Sequence, residues 1–384
     1  MEKILEGKNA FDALVINPRV CGICGHAHLI ATVEALEDCY ENIEVPQKAK
    51  IIRELTLNFE LIQNHFKWFY FTVLPLFGYK QAVLKAAHPS QIMSKAIATI
   101  GGQYPHNSYA IVGGVVSDIT NMDIIKLSQY IDETTNFFTK NLIDFQEKDI
   151  LECDNIDELF SKEGDLPQIL NDIIKNDWLH IGKSYDRFIA FGSNSYFNKG
   201  KSLKARRYNN ISLDYIQEFS SLNSYAKNVT YKDQYCEVGP LSRAMINKIP
   251  LIKDSHAKYE DSILSRIVAR VFEIPQLLNH CKKLLSKINL EELSYIKPKI
   301  DISKITSSGN SAVEAARGSL IHKVKLENGI IKKYDIITPT QWNLSNGTPK
   351  NLAVSQKAMI GLPDEKIAEI VFKSFDVCSV CTTH

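Results

Sequence analysis

Apolar residues recur along most of this chain at intervals of three or four, the spacing that places them on one face of an α-helix. The clearest run predicts a long amphipathic helix over residues 47–73, between Pro46 and Pro75. Its apolar members are Ile51, Leu55, Phe59, Ile62, Phe66 and Phe69. Other runs predict helices over residues 29–40, 88–100, 121–145, 257–290 and 363–375. Long helices with one apolar face predict a helical bundle at the centre of the fold.

Strand patterns are fewer and shorter. Residues 318–338 alternate between apolar and polar around the turn signal Glu327-Asn328-Gly329, which predicts a β-hairpin. Two strand-like runs, 186–191 and 208–213, lie in a stretch of about 150–255 that we interpret as an irregular α+β insertion packed on the bundle. The predicted fold is therefore α+β but mainly α, in a single domain over residues 1–384. Pro275 is expected to kink the helix that contains it.

The composition, the net charge and the apolar runs of the chain argue against several classes of protein. The 384 residues are 45% hydrophobic and 23% charged, with a net charge of +1, so a large core is expected. Near neutrality gives no support for binding to nucleic acid or to strongly anionic membranes. No run of 18 or more apolar residues occurs, so no transmembrane helix is expected. The first residues lack the apolar core of a secretory signal peptide.

Four of the eight cysteines form two C-x-x-C pairs at opposite ends of the chain, each with a histidine shortly behind it. The two groups are Cys21, Cys24 and His28 near the start, and Cys378, Cys381 and His384 at the end. If the four thiols share one metal, the fold must bring the two ends of the chain together. The scattered cysteines are expected to be buried, inert thiols. They are Cys39, Cys153, Cys236 and Cys281.

Paired C-x-x-C motifs occur in thiolate-bound metal sites, including zinc and iron–sulfur sites, and in redox-active cysteine pairs. Structural zinc usually joins pairs about 15–20 residues apart, whereas Cys24 and Cys378 are separated by most of this chain. A protein of this size also does not need a structural metal ion for its stability. The polar neighbours Arg19 and Asp376 suit a tuned, reactive metal. The pattern thus favours a catalytic metal and leaves structural zinc and redox cysteines open.

Five stretches resemble the signatures of one family, the large catalytic subunits of nickel–iron hydrogenases. The first is Arg-Val-Cys-Gly-Ile-Cys-Gly-His-Ala-His at 19–28, and the last is the terminal Asp-x-Cys-x-x-Cys-x-x-His at 376–384. Between them lie Glu-Val-Gly-Pro-Leu-Ser-Arg at 237–243, Glu-Ala-Ala-Arg-Gly-Ser-Leu-Ile-His at 314–322 and Pro-Thr-Gln-Trp-Asn at 339–343. They follow the family's order over nearly the whole chain. The residues around the first cysteine pair most resemble those of the uptake and sensory types.

The resemblance implies a nickel ion bound by four cysteines, two of which bridge to an iron that carries carbon monoxide and cyanide. By position in each motif, Cys21 and Cys378 would be terminal nickel ligands, and Cys24 and Cys381 the bridges. The implied reaction is heterolytic cleavage of dihydrogen, in either direction. Cys378 or Arg317 would take the proton.

Further residues would act around the metals. Arg317 resembles the family's arginine that lies over the metals. Asp376 would orient this arginine and balance its charge. Thr340 resembles the hydroxyl residue that binds a cyanide, and His28 the imidazole that donates to a bridging sulfur. His26 has no counterpart role and is expected to be an ordinary core histidine.

A second metal, magnesium or iron, is implied at the C-terminal histidine. His384 would be one ligand, Glu2 would supply a carboxylate, and Ile336 a backbone carbonyl oxygen. Mixed oxygen and imidazole ligands suit a hard or borderline cation.

The resemblance also implies partners. The chain has no further cysteine cluster to carry electrons, so an obligate heterodimer with an iron–sulfur small subunit is expected, or a dimer of such heterodimers. Maturation proteins would assemble the metals. The expected location is the cytoplasm, or a membrane reached through partner subunits.

This sequence departs from the family in several places. Relatives usually have an Arg-x-Glu-Gly-His segment well before the first cysteine pair, whose Glu shuttles protons. Only 20 residues precede Cys21, so that segment is expected to be missing, through truncation or through use of another proton route. Leu76 replaces a common acidic residue, and Val377 and Ala316 replace common prolines. Ending at His384 fits a mature form, or a type made without a C-terminal extension.

Two other functions compete with a hydrogenase. A dihydrogen sensor would have the same metal site but slow turnover. A structural subunit related to complex I would have lost the cysteines, so the four intact ligands argue against it.

Overall fold

The structure is a computed structural model, and it describes residues 1–192, 196–197, 200–204, 207–220 and 227–378. Its α-helices are, in chain order, α1 (Glu2–Leu5), α2 (Asp12–Ile16), α3 (Gly25–Asp38), α4 (Gln47–Trp68), α5 (Leu74–Leu76), α6 (Ala87–Gly101), α7 (Asn121–Phe137), α8 (Glu147–Glu152), α9 (Asp157–Phe160), α10 (Asp165–Lys175), α11 (Pro240–Ile246), α12 (Pro250–Tyr259), α13 (Ile263–Leu285), α14 (Pro339–Leu344), α15 (Val354–Met359) and α16 (Glu365–Ser374). Its strands are β1 (Ala110–Ile111), β2 (Gly114–Val115), β3 (Arg187–Ala190), β4 (Lys201–Lys204), β5 (Arg207–Asn210), β6 (Ile216–Ser220), β7 (Lys227–Tyr231), β8 (Ser308–Ala315), β9 (Gly318–Glu327) and β10 (Ile330–Ile337).

Helix α4 lies at the centre of the bundle and packs against α6 and α13, which both contact α7. The predicted long helix is confirmed, because a turn of π-helix over Phe69–Val73 continues α4. Its apolar positions are buried, but so are the polar side chains of Glu60, Gln63 and His65. A helix buried on nearly all sides must satisfy such polar groups inside the protein.

The stretch from 150 to 255 holds helices as well as short strands. Strand β3 confirms the run predicted at 186–191, and β5 covers part of 208–213. Helices α10, α11 and α12 were not predicted. The helix predicted over 257–290 is wrong at its start, because Glu260 has a positive φ of 54° that ends α12. The Ser262 hydroxyl then caps α13 by accepting the Ser265 N–H.

The predicted hairpin is confirmed as β9 and β10, and β8 adds a third strand in the order β10-β9-β8. Helix α3 packs across β8 and β9, and α1 packs against β10. The sheet therefore holds the segments on both sides of the first cysteine pair.

The two ends of the chain meet, as predicted, within the described residues. Helix α16 packs against α13, and the Trp68 indole N–H of α4 donates to the Lys373 carbonyl at 2.9 Å. The chain then delivers Cys378 to a buried cluster with Val20, Cys21 and Cys24. In the part of the chain that is described, no helix is long and apolar enough to cross a membrane.

Candidate metal centre

The first cysteine pair lies in a tight turn that leads into α3. A Cβ atom at Gly25 would lie 2.3 Å from the Pro18 carbonyl oxygen, so only glycine allows the chain to fold back here. The backbone N–H groups of Ile23 and Cys24 point at the Cys21 sulfur, at 3.4 and 3.3 Å. Donors aimed at a sulfur stabilise its thiolate form.

Cys378, the first cysteine of the second pair, lies beside the first pair. The Cys378 N–H donates to the Thr340 hydroxyl oxygen at 3.4 Å, so Thr340 lies next to the predicted nickel ligand. Cys21, Cys24 and Cys378 are all buried. Cys381 and His384 lie outside the described residues. Three of the four predicted thiols are thus brought together.

The donor set fits nickel by its chemistry. Thiolates are soft ligands; all three thiols are buried, and the Cys21 sulfur also faces two backbone N–H donors. Among the described residues, no group of three His, Cys, Asp or Glu side chains could hold a metal ion by itself.

Arg317 occupies the two-residue turn between β8 and β9. Its Nε donates to the Asp376 carbonyl oxygen at 2.9 Å and lies 3.2 Å from the Asp376 carboxylate. The neighbouring Gly318 has a φ of 129°, and a Cβ there would lie 2.5 Å from a Val238 methyl carbon. The stretch at 237–243 therefore presses against the turn that presents Arg317.

Asp376 also contacts an arginine that the sequence analysis missed. Arg270 Nη1 donates to the Asp376 carboxylate at 3.0 Å, so two guanidinium groups share this carboxylate. Burial lowers the pKa of Arg270 to about 10, although Asp376 opposes the shift. The signal was present in the sequence, since Arg266, Arg270 and Glu273 interrupt the largely apolar first half of α13 at spacings of four and three.

A buried network of charged side chains lies next to Arg270. Glu273 accepts from Arg243 Nε at 2.8 Å and Nη2 at 2.6 Å, and it contacts His65 Nε2 at 2.7 Å. Arg243 Nη1 also donates to Glu314 at 3.1 Å. Burial alone would raise the pKa of Glu273, but Arg243 outweighs it and lowers the pKa to about 2. Arg243 Nη1 also donates to the Ala315 carbonyl oxygen at 2.9 Å, so this network contacts the chain directly before the Arg317 turn.

Replacing Arg243 by Met should destabilise the protein by about 3–5 kcal/mol, because Glu273 and Glu314 would remain buried without a counter-charge. Denaturant unfolding measures the effect. The matched control is Lys258→Met, which removes a more exposed ion pair with Asp157 and should change the free energy of unfolding far less. Equal losses in the two variants would contradict this view of the network.

Glu60 is a second residue that the sequence analysis missed. Its carboxylate oxygens accept the backbone N–H groups of His26 at 2.9 Å and Ala27 at 3.0 Å, in the first turn of α3. A negative charge there complements the helix dipole. Burial nevertheless raises the pKa of Glu60 to about 8, with the charge of Cys21 adding to the shift and Arg317 opposing it. The Glu60 carboxyl group thus binds the backbone that directly follows the first cysteine pair.

Glu60 should give the protein a distinctive pH dependence. Its pKa is higher in the folded chain than in the unfolded chain, so stability should fall as pH rises from about 4.5 to about 8. Glu60→Gln should remove that part of the slope. Thermal unfolding at several pH values measures it, with the exposed-site variant Glu327→Gln as the control. Identical slopes for wild type and Glu60→Gln would rule out a raised pKa.

The two histidines of the first motif have different surroundings. His26 stacks on Tyr109 with ring centroids 5.5 Å apart, and its Nδ1 lies 3.3 Å from the Asn107 side-chain oxygen, as expected of a core histidine. His28 Nδ1 lies 3.1 Å from His322 Nε2. Burial lowers the pKa of His28 to about 4, although charge on Cys21 and Cys378 would raise it. His28 is therefore a neutral imidazole close to the thiols.

Glu2 lies beside Ile336, as the resemblance implied. However, the contact is with the Ile336 amide, whose N–H donates to the Glu2 carboxylate at 2.7 Å. Lys227 Nζ donates to the same carboxylate oxygen at 2.8 Å. The ligand roles of Glu2, the Ile336 carbonyl and His384 therefore stay predictions.

A loop after α6 also packs on the first motif. The Tyr104 hydroxyl donates to the Ile23 carbonyl at 3.1 Å, and His106 Nδ1 lies 3.0 Å from the Pro18 carbonyl oxygen. The turn that carries the first cysteine pair is thus held from both α4 and this loop.

Known proteins resemble this chain in sequence and in fold. The sequence model of the nickel-dependent hydrogenase family matches residues 1–74 and 172–384. Sulfhydrogenase 1 subunit alpha of Pyrococcus furiosus is 25% identical over 406 residues, covering 100% of this chain and 89% of the relative. Coenzyme F420 hydrogenase subunit alpha of Methanothermobacter thermautotrophicus is 26% identical over 386 residues, covering 100% and 85%. The Ni-Fe-Se hydrogenase of D. vulgaris Hildenborough shares the fold, with a TM-score of 0.82 at 21% identity, covering 100% of this chain and 92% of that one.

The family match includes both cysteine motifs and the Arg317 turn, and it omits residues 75–171. The predicted hydrogenase family is confirmed, whereas the uptake or sensory subgroup stays a prediction. Because the match covers well over half of its length, the chain belongs to the nickel-dependent hydrogenase family.

Proposed function

We propose that this chain is the catalytic large subunit of a nickel–iron hydrogenase and cleaves dihydrogen heterolytically, in either direction. The family supplies the enzyme class, an oxidoreductase that acts on dihydrogen. The observation that carries the proposal is the buried meeting of Cys21, Cys24 and Cys378 beside the Arg317–Asp376 pair. We further propose that residues 1–384 work as one domain, because the site draws on both ends of the chain.

The four cysteines would hold the metals. Cys21 and Cys378 would bind nickel as terminal ligands, and Cys24 and Cys381 would bridge nickel to an iron carrying carbon monoxide and cyanide. When bound, the metals supply an open coordination position at which dihydrogen is polarised. The thiolates come from both ends of the chain, so folding and metal binding are coupled.

The surrounding side chains would accept the proton and stabilise the negative charge that forms beside it. The Cys378 sulfur would accept the proton, and the permanently charged Arg317 would stabilise negative charge beside it. Asp376 fixes the Nε side of that guanidinium. Thr340, next to the Cys378 backbone, would donate its hydroxyl to a cyanide. His28 would donate to a bridging sulfur, which weakens that sulfur as an electron donor.

The second metal, magnesium or iron, would be bound by Glu2, the Ile336 carbonyl and His384. The closeness of Glu2 and Ile336 supports this proposal. The Lys227 ammonium that now pairs with Glu2 would have to yield one carboxylate oxygen to the cation.

The electrons would leave through an iron–sulfur small subunit in a heterodimer. The relatives from Pyrococcus furiosus and Methanothermobacter thermautotrophicus are each a subunit alpha. A protein partner near the first cysteine motif is supported by apolar side chains that the subunit leaves exposed there. They are Ile4, Phe11, Val15 and Ile23.

The proposal can be tested on the chain co-produced with its small subunit and maturation proteins. We expect dihydrogen-dependent reduction of an artificial electron acceptor, and equimolar nickel in each heterodimer by elemental analysis. A heterodimer that contains only zinc and turns over no dihydrogen would refute the proposal. Nickel with very slow turnover would point instead to a dihydrogen sensor.

A further inference from the structure

One buried guanidinium, that of Arg270 on α13, contacts both segments that form the Arg317–Asp376 pair. Arg270 Nη1 donates to the Ala316 carbonyl oxygen at 3.2 Å and to the Asp376 carboxylate at 3.0 Å. Ala316 directly precedes Arg317, and Asp376 lies two residues before Cys378. A single nitrogen atom therefore joins the turn that presents Arg317 to the segment that leads to Cys378.

The position of this guanidinium is set by helix α4. The Trp68 ring faces it, with 4.8 Å between the ring centroid and Arg270 Cζ, a distance typical of cation–π contacts. The Trp68 indole N–H also donates to the Lys373 carbonyl at the end of α16. His65, three residues before Trp68, places its Nδ1 atom 3.3 Å from Arg270 Nη1. Arg270 is therefore held between α4 and α13, the two longest helices of the bundle.

The backbone of Asp376 depends on contacts of this kind. Its φ is 54°, in the left-handed region, and a residue other than glycine stays there only where its surroundings hold it. The Asp376 carbonyl oxygen, which accepts the Arg317 Nε–H at 2.9 Å, belongs to the same strained residue. A hold on the Asp376 carboxylate therefore also fixes the acceptor that orients Arg317.

We infer that Arg270 is a positioning residue, which fixes the orientation of the Arg317 guanidinium through the Ala316 carbonyl and through Asp376. What that orientation achieves rests on the proposed function, whereas the orientation itself is a property of this chain. Arg270 would act on the reaction only through Arg317. Exact placement matters, because a shift of about 1 Å in a group that acts on the reacting atoms can cost about 10²-fold in rate.

A double variant tests whether Arg270 acts through Arg317. Arg270→Met should lower kcat about 10–10²-fold, with nickel retained and the KM for dihydrogen unchanged, since substrate binding is not affected. The double variant Arg270→Met/Arg317→Lys should then be no slower than Arg317→Lys alone, because residues that act as a unit give non-additive losses. Steady-state kinetics of the heterodimers measure this. Losses that multiply in the double variant would overturn the inference.

The conservative variant Arg270→Lys gives a second reading. Three acceptors surround Nη1, and an ammonium has three hydrogens to donate, so Arg270→Lys should restore kcat to within about threefold of wild type. A kcat for Arg270→Lys as low as that of Arg270→Met would contradict the positioning role. The matched control is Arg53→Met. Arg53 is also buried and also joins a carboxylate, that of Glu37, to two backbone carbonyls, but on another part of α4.

The orientation of Arg317 can also be measured without turnover. In the heterodimer labelled with ¹⁵N-arginine, the Arg317 Nε–H signal is the one that disappears in Arg317→Lys. Its exchange with solvent should become at least about tenfold faster in Arg270→Met and should stay within about twofold of wild type in Arg53→Met. Exchange unaffected by Arg270→Met, or equally fast in both variants, would overturn the inference. A wild-type heterodimer without nickel or turnover would instead refute the proposed function, since this exchange requires neither.

Discussion

Changing Cys378 to Ser should leave the heterodimer essentially without nickel and without turnover. A serine hydroxyl does not ionise at neutral pH and is a hard, poor ligand for nickel. Loss of supporting groups around a metal already costs about 10–100-fold in affinity, and loss of a ligand should cost at least as much. Elemental analysis of the purified heterodimer measures the nickel.

The matched control for that experiment is Cys153→Ser. Cys153 is also buried, but it lies beside Asn155 after α8, outside the cysteine cluster. Its thiol should be dispensable for nickel, and burial raises its pKa to about 11, so it stays protonated. Unchanged nickel in Cys378→Ser would disprove the ligand assignment. Loss of nickel from both variants would mean that the effect is on folding.

Changing Arg317 to Lys should separate metal binding from turnover. Lys keeps the positive charge but cannot reproduce the planar guanidinium that Asp376 holds through Nε. Loss of one preorganised donor near developing charge typically lowers kcat about 10²–10³-fold. We therefore expect a kcat lower by about that factor with nickel retained. Steady-state kinetics and elemental analysis of the same sample measure the two effects.

The control for Arg317→Lys is Arg187→Lys on β3, where the guanidinium stacks over Tyr185 away from the cysteine cluster. This variant should keep wild-type kcat. An Arg317→Lys heterodimer that holds nickel and turns over within about twofold of wild type would show that the guanidinium has no catalytic role.

Much of the fold could be predicted because its helices carry a regular apolar period. Helix α4 and the final helix were predicted to within a few residues, and so was the hairpin around Asn328-Gly329. Strand β8 was missed, because Ser308–Ala315 is rich in small and polar residues rather than alternating. The break before α13 was missed because it depends on the positive φ of Glu260, which the residue type does not signal.

The residues of the candidate site also fall into two groups: those that a local sequence motif reveals and those that only the packing of the fold reveals. The cysteine pairs and Arg317 lie in local motifs, so sequence alone could identify them. Glu60 and Arg270 belong to elements far away in the chain, and their relevance comes from packing. A buried carboxylate on α4 reaches the first turn of α3 only after both helices have folded. Such contacts have no local sequence signature beyond a charged residue in an apolar helix.

We propose that both ends of this chain meet to hold a nickel–iron centre. Infrared spectroscopy of the purified heterodimer tests it most directly, because protein groups do not absorb where metal-bound carbonyl and cyanide do. We predict metal-bound carbonyl and cyanide bands in wild type and in Cys153→Ser, and none in Cys378→Ser. A nickel-free wild-type heterodimer without these bands would contradict the account.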